Sequence, residues 1–213
     1  MYMRWVMLCL VAGMNTAMAQ TDWKLNTDKG GIKIYTSLLS DSKVKAVKVS
    51  CNVQSTLSQF ITLLLDVKSA PEWVYHTKSA VLVKQVSPSE LYYYSEVNLP
   101  WPIQNRDFVA HLTVTQHPVT KVVTVDGPAV GGMVPVKTGI VRIENSMGKW
   151  VITPLVNGYL SVIYTLHVDP GGSLPAWLVN MFATEGPYKI FENLQQQLLK
   201  PAYKGVKLAY IKE

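Results

Sequence analysis

The chain has 213 residues, 48% of them hydrophobic and 16% charged, with 20 basic and 14 acidic side chains for a net charge of +6. That length and apolar share suit one domain with a sizeable core. The lysines are scattered, apart from Lys43, Lys45 and Lys48 and the C-terminal Lys200, Lys204, Lys207 and Lys212, and there is no arginine-rich run. The excess charge therefore suits weak attraction to an anionic membrane surface and argues against nucleic acid as a partner.

The N-terminus opens Met1-Tyr2-Met3-Arg4 and continues as an apolar run from Trp5 to Met14. It ends on Ala17-Met18-Ala19, an A-x-A pattern before Gln20. A charged start, a short apolar core and a small-residue site predict a secretory signal over residues 1–19, and hence an exported, periplasmic or secreted, domain over residues 20–213. An uncleaved anchor is the other reading, though a bilayer span needs about 20 apolar residues. The mature part has 19 basic and 14 acidic side chains, a net +5, and keeps Cys51 as its one cysteine. No internal disulfide can form, so stability must come from packing. Cys51 is expected to be a buried apolar residue rather than a nucleophile.

Gly30-Gly31 predicts a turn and Ile32 to Tyr35 a strand. From Lys43 to Asn52 the pattern alternates, with Val47, Val49 and Cys51 on one face. Ser55 or Thr56 can cap a helix through Leu57, Phe60, Ile61, Leu64 and Leu65, which Pro71 ends. Strands follow over Ala80–Val86, Leu91–Val97 and Arg106–Gln116, with Leu99-Pro100-Trp101-Pro102 as a loop because its prolines cannot donate. A shorter strand, Lys121–Val125, leads into a glycine- and proline-rich loop, Asp126–Pro135. Gly139–Asn145, Lys149–Leu155 and Tyr159–Asp169 complete the strands, with tight turns at Asn145–Gly148 and Val156-Asn157-Gly158. Ser173 can cap a closing helix that runs to Lys200 and kinks at Gly186-Pro187. A helix, many antiparallel strands and a long closing helix make an α+β layout, most simply a curved sheet wrapped round that helix.

The strand from Arg106 carries the most information. Arg106, Phe108, Ala110, Leu112 and Val114 share its apolar face. An arginine pointing where core residues point must have a wet end, an acidic partner or a polar ligand, because a guanidinium is costly to bury unpaired. Tyr92, Tyr94 and Glu96 share a face of the preceding strand. Turned inward, Glu96 pairs with Arg106 inside a cavity; turned outward, it makes a surface ion pair.

Leu99-Pro-Trp-Pro-Ile-Gln-Asn-Arg-Asp-Phe-Val109 resembles the PWP-x-x-x-RDFV segment of START domains, the steroidogenic-acute-regulatory-protein-related lipid transfer domains. Asp169-Pro-Gly-Gly-Ser-Leu-Pro-Ala-Trp-Leu-Val-Asn180 and Glu185-Gly-Pro-Tyr188 are similar to the opening of that family's last helix. Trp23-Lys24-Leu25, Gly31 to Thr36 and Asp66 to Trp73 match its earlier part. The resemblance implies a helix-grip fold, an antiparallel sheet gripping a C-terminal helix over a hydrophobic tunnel that the helix and adjacent loops gate. It places Arg106 on the tunnel wall and suggests Glu96 near it. It also implies a lipid or other hydrophobic small molecule as partner, without naming which.

An apolar lining with a few polar anchors suits such a cavity. The expected ligand-binding set is Arg106, Glu96, Phe108, Tyr94, Leu112 and Tyr164 from the strands, with Trp177, Met181 and Phe182 from the helix. The inward faces also offer Val114, Val141, Ile143, Val162 and Leu166. None of His76, His111, His117 and His167 stands at a metal-ligand spacing, and no nucleophile elbow, phosphate-binding glycine loop or carboxylate pair is visible. The expectation is a monomeric, non-enzymatic binder with no cofactor and transient membrane contact. A polyketide cyclase-like or hydrolase-like enzyme on the same cavity is the main rival. A protein using its basic surface or its Trp101 loop against a membrane or partner is the third class.

Overall fold

The computed structural model describes residues 22–38, 45–172 and 174–213. The expected signal segment, Lys43 and the capping role expected of Ser173 lie outside them. In chain order the elements are β1 (Lys24–Lys29), β2 (Ile32–Leu38), β3 (Lys45–Gln54), α1 (Leu57–Leu65), a 3₁₀ turn (Val67–Ser69) and α2 (Ala70–Trp73). Then come β4 (Thr77–Ser87), β5 (Glu90–Val97), β6 (Asn105–Gln116), β7 (Val123–Pro128), β8 (Ile140–Arg142), β9 (Ser146–Pro154) and β10 (Tyr159–Val168). The closing helix consists of α3 (Ala176–Asn180), a π turn (Met181–Glu185) and α4 (Gly186–Leu198).

The strands form one curved sheet in the order β1-β2-β3-β10-β9-β7-β6-β5-β4, with β8 alongside β6. Neighbours are antiparallel except for the β6–β8 pair. Register carries the core across it: Ile34, Val49, Tyr164, Trp150, Val125 and Val114 stand opposite one another on six successive strands. Opposed residues share a face, so this row points inward as a unit. Val47, Val49 and Cys51 are buried on it, as their alternation predicts.

Two helices fill one end of the concave side. Leu57, Phe60 and Ile61 of α1 pack with Phe191, Leu194 and Leu198 of α4. Thr56 caps α1 by accepting the Gln59 N–H at 3.2 Å. Glu213 accepts the Leu57 and Ser58 N–H groups at 2.8 and 3.0 Å, so its carboxylate satisfies two further free donors of the first turn.

Several expectations change. Pro71 does not end a helix; it lies in the first turn of α2, where its missing N–H has no partner to lose. β7 runs on to Pro128, and Ala129 bridges Ala110, so the loop proper covers 130–139. The strand expected over Gly139–Asn145 shrinks to β8, three residues parallel to β6. At the kink expected at Gly186-Pro187, the helix widens into a π turn just before the pair. Pro187 has no N–H to offer the preceding turn, and the π turn takes up the mismatch while Gly186 stays helical at φ −56°. A Cβ on Gly186 would lie 3.1 Å from Tyr75 Cδ1, so glycine lets the helix pass close to that ring.

Candidate functional site

The other end of the concave side is hollow, with a cavity of about 300 Å³. One wall is β5 and β6, through Tyr93, Val97, Arg106, Phe108, Ala110 and Leu112. The facing wall is β9 and β10, through Trp150, Tyr164, Leu166 and Val168. Leu64, Val67, Ala70 and Trp73 close it from the α1–α2 side, and Pro170, Leu174 and Phe182 from the closing helix and its approach. This space far exceeds the 10–15 Å³ that one water needs, and its lining is chiefly apolar, the character of a ligand pocket.

Arg106 is the one cation on this wall and is 5% exposed. Among the described residues its guanidinium donates to backbone carbonyls alone: Nε to Pro170 at 3.4 Å, Nη2 to Gly171 at 3.2 Å and Nη1 to Gln104. No carboxylate forms an ion pair with it among the described residues. Burial draws its pKa below the usual guanidinium value. A guanidinium has five N–H donors, and three of those on Arg106 meet acceptors among the described residues.

Next to it in sequence, Asp107 points the other way. It is fully buried and takes a bidentate pair from Arg142, Nε to Oδ1 at 2.6 Å and Nη2 to Oδ2 at 3.1 Å. Hydrogen bonding to Asp107 raises the Arg142 pKa. Arg142 also donates to the Val134 and Pro135 carbonyls and so straps the 130–139 loop onto the outside of the sheet. The Asp126–Pro135 segment therefore contributes Gly127 and Ala129 to the cavity wall, and residues 130–139 contribute nothing to it.

Of the expected binding set, Arg106, Phe108, Leu112, Tyr164 and Phe182 come together on the wall. Glu96 and Tyr94 do not. In the β5–β6 register Val97 stands opposite Arg106 and Glu96 opposite Asp107, which turns Glu96 and Tyr94 outward. Glu96 is instead held by Lys78 at 2.7 Å, Asn105 at 3.0 Å and Lys137 at 3.8 Å, and hydrogen bonding to Lys78 keeps its pKa below the ordinary value. Tyr94 is buried beneath Lys137, whose Nζ lies 4.4 Å from the ring centre. Trp177 is 55% exposed, and neither it nor Met181 lines the cavity. The π turn inserts about one residue, which rotates the preceding turn by roughly 100° at 3.6 residues per turn. That takes Trp177 and Met181 off the inward side and brings Phe182 onto it.

Sequence reasoning missed Tyr93, Trp73 and Trp150 as wall residues. For Tyr93 the signal was the hairpin register, since the residue opposite Ala110 faces inward with it. Two glycines also escaped notice. Gly127 and Gly148 are opposed across β7 and β9 on the wall. A Cβ at Gly127 would lie 2.9 Å from Leu112 Cδ2, and one at Gly148 would lie 3.4 Å from the Tyr164 hydroxyl. Leu112 and the Tyr164 hydroxyl thus occupy the recess that the two missing side chains leave.

Among the described residues, no histidine or cysteine lines the cavity, and Asp66, on its edge, accepts the Tyr203 hydroxyl at 2.8 Å. Cys51 is buried in the filled end, where desolvation pushes its thiol up to about 12. Among the described residues, no group of three or more His, Cys, Asp and Glu is placed to hold a metal.

The sequence profile of the START domain family matches residues 12–201. An uncharacterized protein of Pseudomonas aeruginosa is 30% identical over 180 residues, covering 82% of this chain and 85% of its own. The phosphatidylcholine transfer protein of Mus musculus is 26% identical over 178 residues, 80% of each chain. The crystal structure of the STAR-related lipid transfer protein of Xanthomonas axonopodis superimposes with a TM-score of 0.76 at 29% identity, covering 84% of this chain and 99% of that one. An aromatase/cyclase of Streptomyces shares the fold at a TM-score of 0.52 and 12% identity, covering 76% of this chain and 99% of its own. The curved sheet, the gripped helix, the apolar hollow and the profile match agree, and the chain belongs to the START domain family.

Proposed function

We infer that this protein binds one lipid in the cavity and transports or sequesters it without converting it. The observation that carries the reading is Arg106, a buried cation with carbonyl partners alone, at one end of an apolar hollow. A buried charge gains most from a charged partner, so the fitting guest has an anionic or strongly polar head and an apolar body. The relatives named phosphatidylcholine transfer protein support a phospholipid, whose phosphate would meet Arg106. Among the described residues no histidine or cysteine lines the cavity, which supports binding over catalysis by such a base.

Arg106 also marks the end through which cargo passes. Its acceptors belong to the Trp101 loop, through Gln104, and to the approach to α3, through Pro170 and Gly171. Trp101 is 93% exposed, and Trp177 and Val136 are exposed too. Exposed tryptophans, together with half-exposed lysines such as Lys78 and Lys137, suit transient contact with an anionic bilayer surface. The protein acts as a monomer exported by its residues 1–19, and a mature N-terminus at Gln20 in the periplasmic or secreted fraction tests that part.

Native mass spectrometry of mildly purified protein should show one bound lipid per chain. Arg106→Leu should lower its occupancy, with affinity falling about 10- to 100-fold, the range of a charge-assisted hydrogen bond. Full occupancy in a folded Arg106→Leu variant would remove the anchor. A ligand-free protein that takes up no lipid from vesicles would remove the function.

A further inference from the structure

Tyr93 and Tyr164 face the cavity, and the structure leaves both hydroxyls without a hydrogen-bond partner among the described residues. Both residues are half-buried and line the apolar hollow, where a hydroxyl away from bulk water normally finds a partner. Desolvation pushes the Tyr93 hydroxyl up to about 12 and raises that of Tyr164 as well. Both therefore stay neutral and remain donors. They are also close enough that a charge on Tyr93 would raise Tyr164 further.

Their place is set by the sheet. Tyr93 stands opposite Ala110, four residues along β6 from Arg106, or about 14 Å at about 3.4 Å per residue. The Tyr164 hydroxyl lies over the recess at Gly148, which is opposed by Gly127. The two phenols thus come from β5 and β10, on facing walls, deep beyond the cation. A cavity meant for bare hydrocarbon would be better lined there by phenylalanine, as it is at Phe108 and Phe182.

We propose that Tyr93 and Tyr164 form a second polar station inside the cavity, one that receives a hydroxyl, ketone or ester oxygen set midway along the lipid's apolar body. This rests on the lipid-binding reading and narrows it to a doubly anchored amphiphile. Its anionic end lies at Arg106 and an oxygen acceptor lies between the phenols. Each phenol donates one hydrogen bond to that oxygen, and a guest hydroxyl returns its own proton to a phenol oxygen.

The test uses two probe acids that differ by one oxygen, octadecanoic acid and 12-hydroxyoctadecanoic acid, titrated into delipidated protein. Wild type should bind the hydroxy acid at least as tightly as the plain one. In Tyr93→Phe/Tyr164→Phe the buried hydroxyl loses its partners. The affinity ratio of hydroxy to plain acid should then fall about 10-fold, within the range for an unsatisfied buried group. Each single Phe variant should show part of the fall. An unchanged ratio in the double variant, with both acids bound, overturns the station alone. No uptake of either acid by wild type overturns the lipid reading, and the station with it.

Discussion

Between Gly186 and Leu198 the closing helix is tied to its surroundings by named polar bonds as well as packing. Gln59 donates to the Leu198 carbonyl at 2.6 Å, Gln197 reaches Glu72 at 2.8 Å, Lys200 just beyond pairs with the same carboxylate, and Phe191 and Leu194 are fully buried. Between Ala176 and Glu185 the backbone passes into a π turn and Leu178 is buried. Phe182 meets Tyr75 and His76 ring to ring at 6.1 and 5.8 Å. The C-terminal half closes the filled end of the sheet and the N-terminal half covers the hollow. The named polar ties are thus concentrated on the half away from the hollow, and local opening should be easiest in the other half.

The largest effect expected from this division is on stability. Phe191→Ala should cost about 3–5 kcal/mol in denaturant unfolding, the range for emptying a packed aromatic site. Phe182→Ala should cost under about 1.5 kcal/mol, because its ring already borders open space, and should speed lipid release. Equal costs would break the comparison. Next in size is hydrogen exchange. In lipid-free protein, amides 177–185 should exchange at least about 10-fold faster than amides 190–198, and lipid loading should slow the first group alone. Uniform protection would mean that the helix moves as one piece.

The smallest effect is on acid stability. Glu72 ties α2 to α4, and hydrogen bonding to Lys200 holds its pKa below the ordinary 4.5. Glu96 braces the outside of the hollow end, with its pKa lowered through Lys78. A carboxylate with a lowered folded pKa contributes stability that is present above the ordinary value and lost as pH falls through the folded one. Thermal stability should therefore decline below about pH 4.5, and Glu96→Gln should remove part of that slope. A slope unchanged by this substitution would mean that the Lys78 contact contributes nothing.

How much of this was legible in the sequence depended on the range of the information needed. Alternation within β6 put Arg106, Phe108 and Leu112 on the inner face, because side-chain parity is local to a strand. It cannot say which face of β5 meets them, since that needs the register across the Pro100–Pro102 loop; Glu96 and Tyr94 stand in the expected binding set, yet Tyr93 and Val97 are the residues that face the cavity. The apolar set Phe191, Leu194 and Leu198 follows one helical face, but carrying that face back to Trp177 assumed a continuous α-helix. The π turn that spoils it has no composition of its own, although Gly186-Pro187 marked where the trouble lay. The Asp107–Arg142 pair was out of reach, because it joins two strands 35 residues apart in a parallel pairing too short to announce itself.

The opposed Gly127 and Gly148 bear on how such a carrier diversifies. Cargo size here is governed at the scale of single methyl groups. A side chain at Gly148 would press on the Tyr164 hydroxyl, and one at Gly127 would displace Leu112, while the strand pairing stayed as it is. One substitution at either position can shorten or narrow the lumen with no change to the scaffold. This glycine pair is where a change of cargo in this chain should first be sought.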